Sequence, residues 1–264
     1  MTLQTLLLGG LFCGSLALLP APIQDVGASA QLQAAFAEQG IRFDLEAGRV
    51  SFPASVCIRE DLLEYVLVGE HGASHESLFL TPVSPTVLNA ALLALGAEPG
   101  RNVRWVPRDP QPSEEELRDG APTHDVLPPE GEGFYLYAAW KEAGEEYFFR
   151  VEDLVTNLER GRSMQRHAWI YLGSRLVPSG TEEGAPEVLA AEMEGNLINL
   201  SYFRAGNTLF SAALDACVQQ TIWLPNAPLL PDAGSKVVLV ASRAPLRALP
   251  EVVAEEDLVE LAPR

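Results

Sequence analysis

Hydrophobic and polar residues alternate in two pairs of neighbouring segments, and this spacing predicts two β-hairpins. In the first, residues 41–45 and 50–52 flank a short polar turn. In the second, residues 134–140 and 147–151 flank a turn that contains glycine. The second pair is rich in aromatic residues, which are expected to pack against each other across the strands.

Other short hydrophobic runs predict further strands, since runs of four to eight such residues between turn residues are typical of buried strands. Residues 208–214 have a weaker pattern, which we interpret as a short helix. The additional predicted strands are residues 65–68, 77–80, 168–172, 197–203, 221–224 and 236–240.

One segment has the spacing and the end residues of an amphipathic helix. Ser84 is a favourable N-cap, and Pro85 suits the first helical position. Gly96 lies where a helix often ends in a left-handed residue. The hydrophobic face of the predicted helix comprises Leu88, Ala91, Leu92 and Leu95.

Together these elements predict an α+β fold: a mainly antiparallel sheet built from hairpins, with one helix at about residues 85–95 packed on one side. We expect a single domain over residues 31–250. A long, acidic and poorly ordered loop is predicted at residues 107–133, because this segment has little to bury. An acidic tail at residues 251–264 follows, part of it a loose helix.

The first 30 residues have the features of an export signal. A leucine-rich run ends at Pro20, and the small residues 28–30 predict cleavage before Gln31. The run is short and interrupted by glycine, so no stable membrane span is predicted after cleavage. The predicted location is therefore the periplasm or cell envelope. An uncleaved anchor is the alternative, whereas lipid attachment at Cys13 is disfavoured by the bulky residues before it.

The charge of the chain excludes one class of partner. Its 264 residues carry 36 Asp and Glu against 18 Lys and Arg, a formal net charge of −18. Such a surface repels phosphate backbones, and nucleic-acid binding is not predicted.

No phosphate loop or dinucleotide-binding glycine motif is present, and no cofactor is predicted. Cys57 and Cys217 remain after cleavage; they could form a disulfide in an exported protein or be two buried thiols.

Residues 71–77 hold the densest group of chemically active side chains. His71, His75 and Glu76 are ligand types that a divalent metal prefers, although the metalloprotease motif is absent. His75 and Glu76 could instead hold a turn or contact a ligand. Ser77 has no nucleophile motif around it, which disfavours acyl transfer. Further metal ligands would have to come from His124, Asp125 or His167.

Tryptophans in the predicted strands allow two interpretations. Aromatic residues at alternating positions are usually core residues. The alternative is a ligand groove lined by Trp140, Trp169 and Trp223, and Trp169 is the candidate binding residue among them.

The run His75-Glu76-Ser77-Leu78, followed by residues 90–100, resembles the YdjY-like domain family, over about residues 40–242 of this chain. The resemblance implies an exported domain without an established reaction. The resemblance implies that His75, Glu76 and Ser77 form the candidate site. An iron–sulfur cluster, suggested by a ferredoxin-like description of some members, does not fit because the required cysteines are missing. Agreement continues at residues 150–154, 169–174, 194–198, 224–225 and 234–237.

These observations favour a non-enzymatic module that binds an unknown envelope ligand or protein. Two alternatives remain. In a metal-dependent hydrolase, His71, His75 and Glu76 would hold an ion and an activated water. In a purely structural domain, His75 and Glu76 would only stabilise the fold. The predicted binding residues are His75, Glu76, Ser77 and Trp169.

Overall fold

The computed structural model describes residues 33–262, and eight of its strands close into a barrel. The helices are α1 (residues 33–38), α2 (Pro85–Ala94), α3 (Glu114–Arg118) and α4 (Ala190–Glu194). The strands are β1 (Arg42–Asp44), β2 (Arg49–Val56), β3 (Tyr65–Val68), β4 (Ser77–Leu80), β5 (Arg104–Pro107), β6 (His124–Leu127), β7 (Gly133–Glu142), β8 (Glu145–Arg150), β9 (Val155–Asn157), β10 (Arg162–Ser163), β11 (Trp169–Tyr171), β12 (Leu176–Pro178), β13 (Glu187–Leu189), β14 (Asn196–Asn199), β15 (Phe210–Ser211), β16 (Trp223–Pro225), β17 (Lys236–Ser242) and β18 (Glu260–Leu261).

The barrel runs in the order β2, β17, β7, β11, β15, β14, β3 and β4, and pairing between β2 and β4 closes it. Most neighbours are antiparallel, but β14–β15 and β3–β4 are parallel pairs. Pro53 in β2 lies between the residues that pair with β1 and those that pair with β4. Its carbonyl accepts a hydrogen bond from the Thr81 hydroxyl (2.7 Å), which joins the two closing strands where proline interrupts the ladder.

The predicted α+β fold class is therefore wrong. The chain is mostly β, its barrel is closed and mixed, and within residues 33–262 only α2 is a helix of seven or more residues. Two elements that were predicted as helices have other structures. Residues 208–214 contain the barrel strand β15 instead of a helix, and the tail forms a 3-10 turn at Glu255–Asp257 followed by β18. In both segments, pairing with barrel strands outweighs the weak local pattern.

Helix α2 has the predicted start and end. Ser84 accepts a hydrogen bond from the Val87 amide (3.4 Å), and Gly96 is left-handed with φ 77°. The helix covers one end of the barrel. Tyr171, at the end of β11, donates to Asn89 (2.6 Å), and a guanidinium just after β17 donates to the carbonyl of Leu95 (2.7 Å). A small sheet of β9, β10 and β16 adjoins the segment before β3, where the Leu63 amide donates to the carbonyl of Trp223 (3.0 Å).

The acidic segment predicted as a loop at residues 107–133 contains secondary structure. Strands β5 and β6 pair from Arg104–Leu127 to Pro107–His124, and α3 lies between them. Ser113 and Glu116 form a reciprocal capping box at the start of α3. The segment is therefore not the long loop that was predicted, because β5 and β6 pair with each other although little of their surface is buried.

Some predictions fall on residues outside the described range. Residues 1–32 and 263–264 are not described, and the signal peptide, its cleavage site and Cys13 lie among them. Over residues 33–262, no helix combines the length and the hydrophobicity needed to span a bilayer.

Cys57 and Cys217 are free thiols, and burial raises their pKa values to about 11 and about 12.

A buried ion pair fixes β8 to the segment before β11. The Glu152 side chain is 0% exposed, and the guanidinium of Arg150 donates to both of its oxygens. The same carboxylate accepts from the backbone amide of His167 (3.1 Å), and Arg150 donates to the His167 carbonyl. The guanidinium also lies over the rings of Tyr135 (5.1 Å) and Tyr137 (5.6 Å).

The His167 ring should make stability depend on pH. Its side chain is 8% exposed, and its Nε2 has no hydrogen-bond partner among residues 33–262. Burial lowers the pKa of His167, although Glu152 partly opposes this shift. The unfolded chain, with a pKa near 6.5, then binds more protons than the folded chain. Stability is complete above about pH 6.5 and is lost as the pH falls below it.

We expect His167→Gln to reduce the loss of unfolding free energy between about pH 7.5 and 5.5. Urea denaturation at the two pH values measures this loss. His75→Gln, at a ring whose side chain is 81% exposed, is the matched control and should behave as the parent. An unchanged pH dependence in His167→Gln would contradict the assignment.

Candidate functional site

Two of the sequence motifs meet at a close contact between glycines, which we call the glycine junction. The Gly69 amide donates to the carbonyl of Gly195 (2.6 Å), and the Ala73 amide donates to the side chain of Asn196 (3.1 Å). A Cβ on Gly72 would overlap the carbonyl of Gly195, and a Cβ on Gly195 would overlap the amide of Gly72. Gly195 is also left-handed, with φ 72°. Only glycine fits at these two positions without movement of the backbone.

The junction leaves the predicted histidine and glutamate at the surface. The side chains of His75 and Glu76 are 81% and 29% exposed, and the His75 Nε2 lies 3.9 Å from the Glu76 Oε2. His71 lines a different cavity, which lies beside Glu192 of α4 and the first residues of α2. Glu192 accepts hydrogen bonds from the Ser84 hydroxyl and the Thr86 amide, both 2.9 Å.

The metal candidates do not form a ligand set. Within residues 33–262, no three His, Cys, Asp or Glu side chains are grouped so that they could hold an ion. His124 and Asp125 lie on β6, and His167 lies beside the buried Glu152. The structure thus does not bring His71, His75 and Glu76 together as a set of three metal ligands, and no other such residue of this part of the chain completes a set.

Ser77 and Trp169 lie in the core. Both are 0% exposed. The Ser77 hydroxyl donates to the carbonyl of Phe79 (2.9 Å), and the Trp169 ring lies 4.7 Å from the ring of His167. Trp140 and Trp223 are buried as well, and the three tryptophans do not share a surface groove; Trp223 also reaches a cavity, one that neither Trp140 nor Trp169 lines.

Next to the glycine junction is a cavity of about 250 Å³, which we call the motif cleft. One wall is aromatic: the rings of Tyr65 and Phe203 stack with their centroids 5.2 Å apart. Burial, followed by the carboxylates of Glu64, Glu76 and Glu194, raises the pKa of Tyr65 to about 12. Its hydroxyl is therefore protonated at neutral pH and can both donate and accept hydrogen bonds. The cleft is lined by Tyr65, Asn102, Glu194, Asn196, Asn199 and residues 203–208.

Amide side chains in the motif cleft are held in fixed orientations. Asn102 donates to the carbonyls of Phe203 (2.8 Å) and Arg204 (3.2 Å). Its own Oδ1 is buried and has no hydrogen-bond partner among residues 33–262. Because a buried acceptor without a partner is costly, this oxygen is suited to a donor supplied by water or by a ligand.

Asn207 is fixed from both sides. Its Oδ1 accepts from Arg175 (2.6 Å), and its amide nitrogen donates to Glu194. On the same side of the cleft, the guanidinium of Arg204 lies 4.7 Å from the centre of the Trp105 ring. The polar groups are thus oriented by protein contacts before any ligand arrives, which lowers the entropy cost of binding.

Sequence reasoning found part of this site. The motif at residues 194–196 was one of its signals, and it supplies one side of the cleft. Tyr65, Asn102, Phe203 and Asn207 were missed, because no local pattern connects them. Tyr65 was predicted only as a strand residue.

Comparisons with known proteins give one family. The family model of the YdjY domain matches residues 41–242, from the residue before β1 to the end of β17. The comparisons with curated proteins and with solved structures give no match.

Proposed function

Because the chain belongs to the YdjY domain family, we propose that the surface built by its motifs is a binding site and that the protein is a ligand-binding module of the cell envelope. The motif cleft carries this proposal, since it adjoins the glycine junction and its polar groups are already oriented. Export to the envelope rests on the sequence of residues 1–30.

The chemistry of the cleft favours a small, hydroxyl-rich and uncharged ligand, of which a single sugar is the simplest example. A volume of about 250 Å³ is below the roughly 300–1,000 Å³ typical of pockets for drug-sized ligands. Amide groups and a tyrosine hydroxyl donate and accept hydrogen bonds. The Tyr65–Phe203 wall offers an apolar face for the C–H groups of a sugar ring. The lining has one carboxylate, Glu194, and one guanidinium, Arg204, so its formal charges balance.

His75 and Glu76 have a supporting role in this proposal. The carbonyl of Glu76 accepts from the amide of Glu64 (2.9 Å), directly before Tyr65 in the chain. The Glu76 carboxylate contributes to the raised pKa of Tyr65. The turn that the two residues occupy therefore fixes the strand that supplies the aromatic wall.

Tyr65→Phe should weaken sugar binding by roughly tenfold, because it removes one hydrogen bond to the ligand and keeps the stacked ring. The measurement is titration of the protein with glucose, galactose and N-acetylglucosamine, followed by calorimetry and by amide NMR shifts. Tyr147→Phe is the matched control, since Tyr147 stacks on Trp140 away from the cleft.

The titration also separates the alternatives. The binding module predicts amide NMR shifts that are confined to residues around the cleft. These shifts should be lost in Tyr65→Phe and kept in Tyr147→Phe. A purely structural domain would show no saturable shifts with any of the three sugars.

A further inference from the structure

Two arginines outside the motif cleft lie close together and have no acidic partner in the described part of the chain. Arg160 and Arg162 form no ion pair with any residue in 33–262, although the chain has twice as many acidic as basic side chains. Both line one cavity of about 230 Å³, which we call the arginine cleft. By contrast, carboxylates contact Arg42, Arg59, Arg101, Arg108, Arg150, Arg166 and Arg243.

Strand pairing puts the lining residues in a row. In the sheet of β9, β10 and β16, Asn157 is directly opposite Arg162 on one side and Trp223 on the other. Residues opposite each other on neighbouring strands project from the same face. Arg160, in the turn between β9 and β10, is held beside them because its amide donates to the Asn157 Oδ1 (3.0 Å).

The lining offers two further donors. Asn157 is 3% exposed, and its Nδ2 donates to no residue in 33–262, so this amide is free to donate to a bound ligand. Trp223 provides an independent sign of a ligand: its indole Nε1 is buried and has no hydrogen-bond partner in residues 33–262, and a buried donor without an acceptor is costly. With the two guanidinium groups, these two donors outnumber the acceptors of the lining side chains. The one carboxylate there belongs to Asp215, which is exposed.

We propose that the arginine cleft binds an oxyanion, the phosphate or carboxylate group of a small molecule. Guanidinium groups bind both anions through paired, charge-assisted hydrogen bonds, and the Asn157 amide supplies a further donor. The acidic surface elsewhere does not prevent this, because salt screens charges that are more than about 8–10 Å apart. The site is separate from the motif cleft and does not depend on its function.

The test uses the full chain and two probes, inorganic phosphate and acetate, at constant ionic strength and about pH 7. We expect saturable binding of at least one probe by calorimetry, with NMR shifts at Asn157 and Gln165. Asn157→Asp should weaken it by roughly tenfold or more, because an acceptor replaces the free donor. The turn should persist, since the new side chain can still accept from Arg160. Asp215→Asn should strengthen binding.

A second variant makes the result decisive if Asn157→Asp disturbs folding. The double substitution Arg160→Gln/Arg162→Gln changes exposed side chains and should also weaken binding by roughly tenfold or more. Arg247→Gln, which removes an exposed arginine outside the cleft, should bind as the parent. Phosphate without acetate binding identifies a phosphate ligand, and acetate alone identifies a carboxylate. No saturable binding of either probe, or unchanged binding in the double variant, would overturn the proposal.

Discussion

Glu152→Gln is expected to lower the free energy of unfolding by about 3–5 kcal/mol, the usual cost of removing one partner of a buried ion pair. The substitution keeps the shape of the side chain but leaves the guanidinium of Arg150, whose side chain is 12% exposed, without a compensating charge. It also weakens the acceptor for the His167 amide. Urea denaturation at neutral pH measures the change.

An adjacent residue provides the matched control. Asp153 pairs with Arg166, whose side chain is 63% exposed, and Asp153→Asn should cost less than about 1 kcal/mol because solvent screens the pair. A double substitution of Arg150 and Glu152 by Met should recover part of the loss, since no charge then stays buried. A cost for Glu152→Gln as small as that of the control would refute this account of the cluster.

Gly195→Ala should be the second large effect, with a loss of about 2–5 kcal/mol in the free energy of unfolding. Two terms add: a left-handed alanine costs about 1–2 kcal/mol, and the new Cβ overlaps the backbone of Gly72, so a tight contact must open at a further cost of about 1–3 kcal/mol. Because Glu194 and Asn196 line the motif cleft, sugar binding should be weakened as well.

Gly184→Ala separates the two terms. Gly184 has a similar φ of 83°, but a Cβ there would meet nothing within 4 Å. Gly184→Ala should lose only the stability that a left-handed alanine costs, and it should leave sugar binding unchanged. Equal losses for the two variants would show that the glycine junction is not a tight contact.

The local elements were predictable because local forces determine them. The strands at residues 65–68 and 77–80 and the helix that starts at Pro85 were predicted from hydrophobic spacing and from end residues, and the structure has them at these positions. Barrel closure was not predictable, because it depends on pairing between β2 and β4 and on two parallel pairs. The hairpin of β5 and β6 was missed since its side chains are largely exposed and its sequence lacks hydrophobic alternation.

The candidate site shows the same limit. The histidine and glutamate of the motif drew attention because of their chemistry, but the glycines beside them make the tightest contacts with the motif at residues 194–196. Tyr65, Asn102 and Asn207 become neighbours only after the barrel has formed. Sequence spacing gives no information about that proximity.

The position of β2 in the barrel has a consequence for the order of synthesis. Seven residues of β2, from Arg49 to Ser55, pair with β17, which is the last barrel strand to leave the ribosome. The barrel therefore closes only after β17 has been synthesised, and pairing of such distant segments is intrinsically slow. The pairing of β2 with β17 is therefore expected to be a late step in the folding of the barrel.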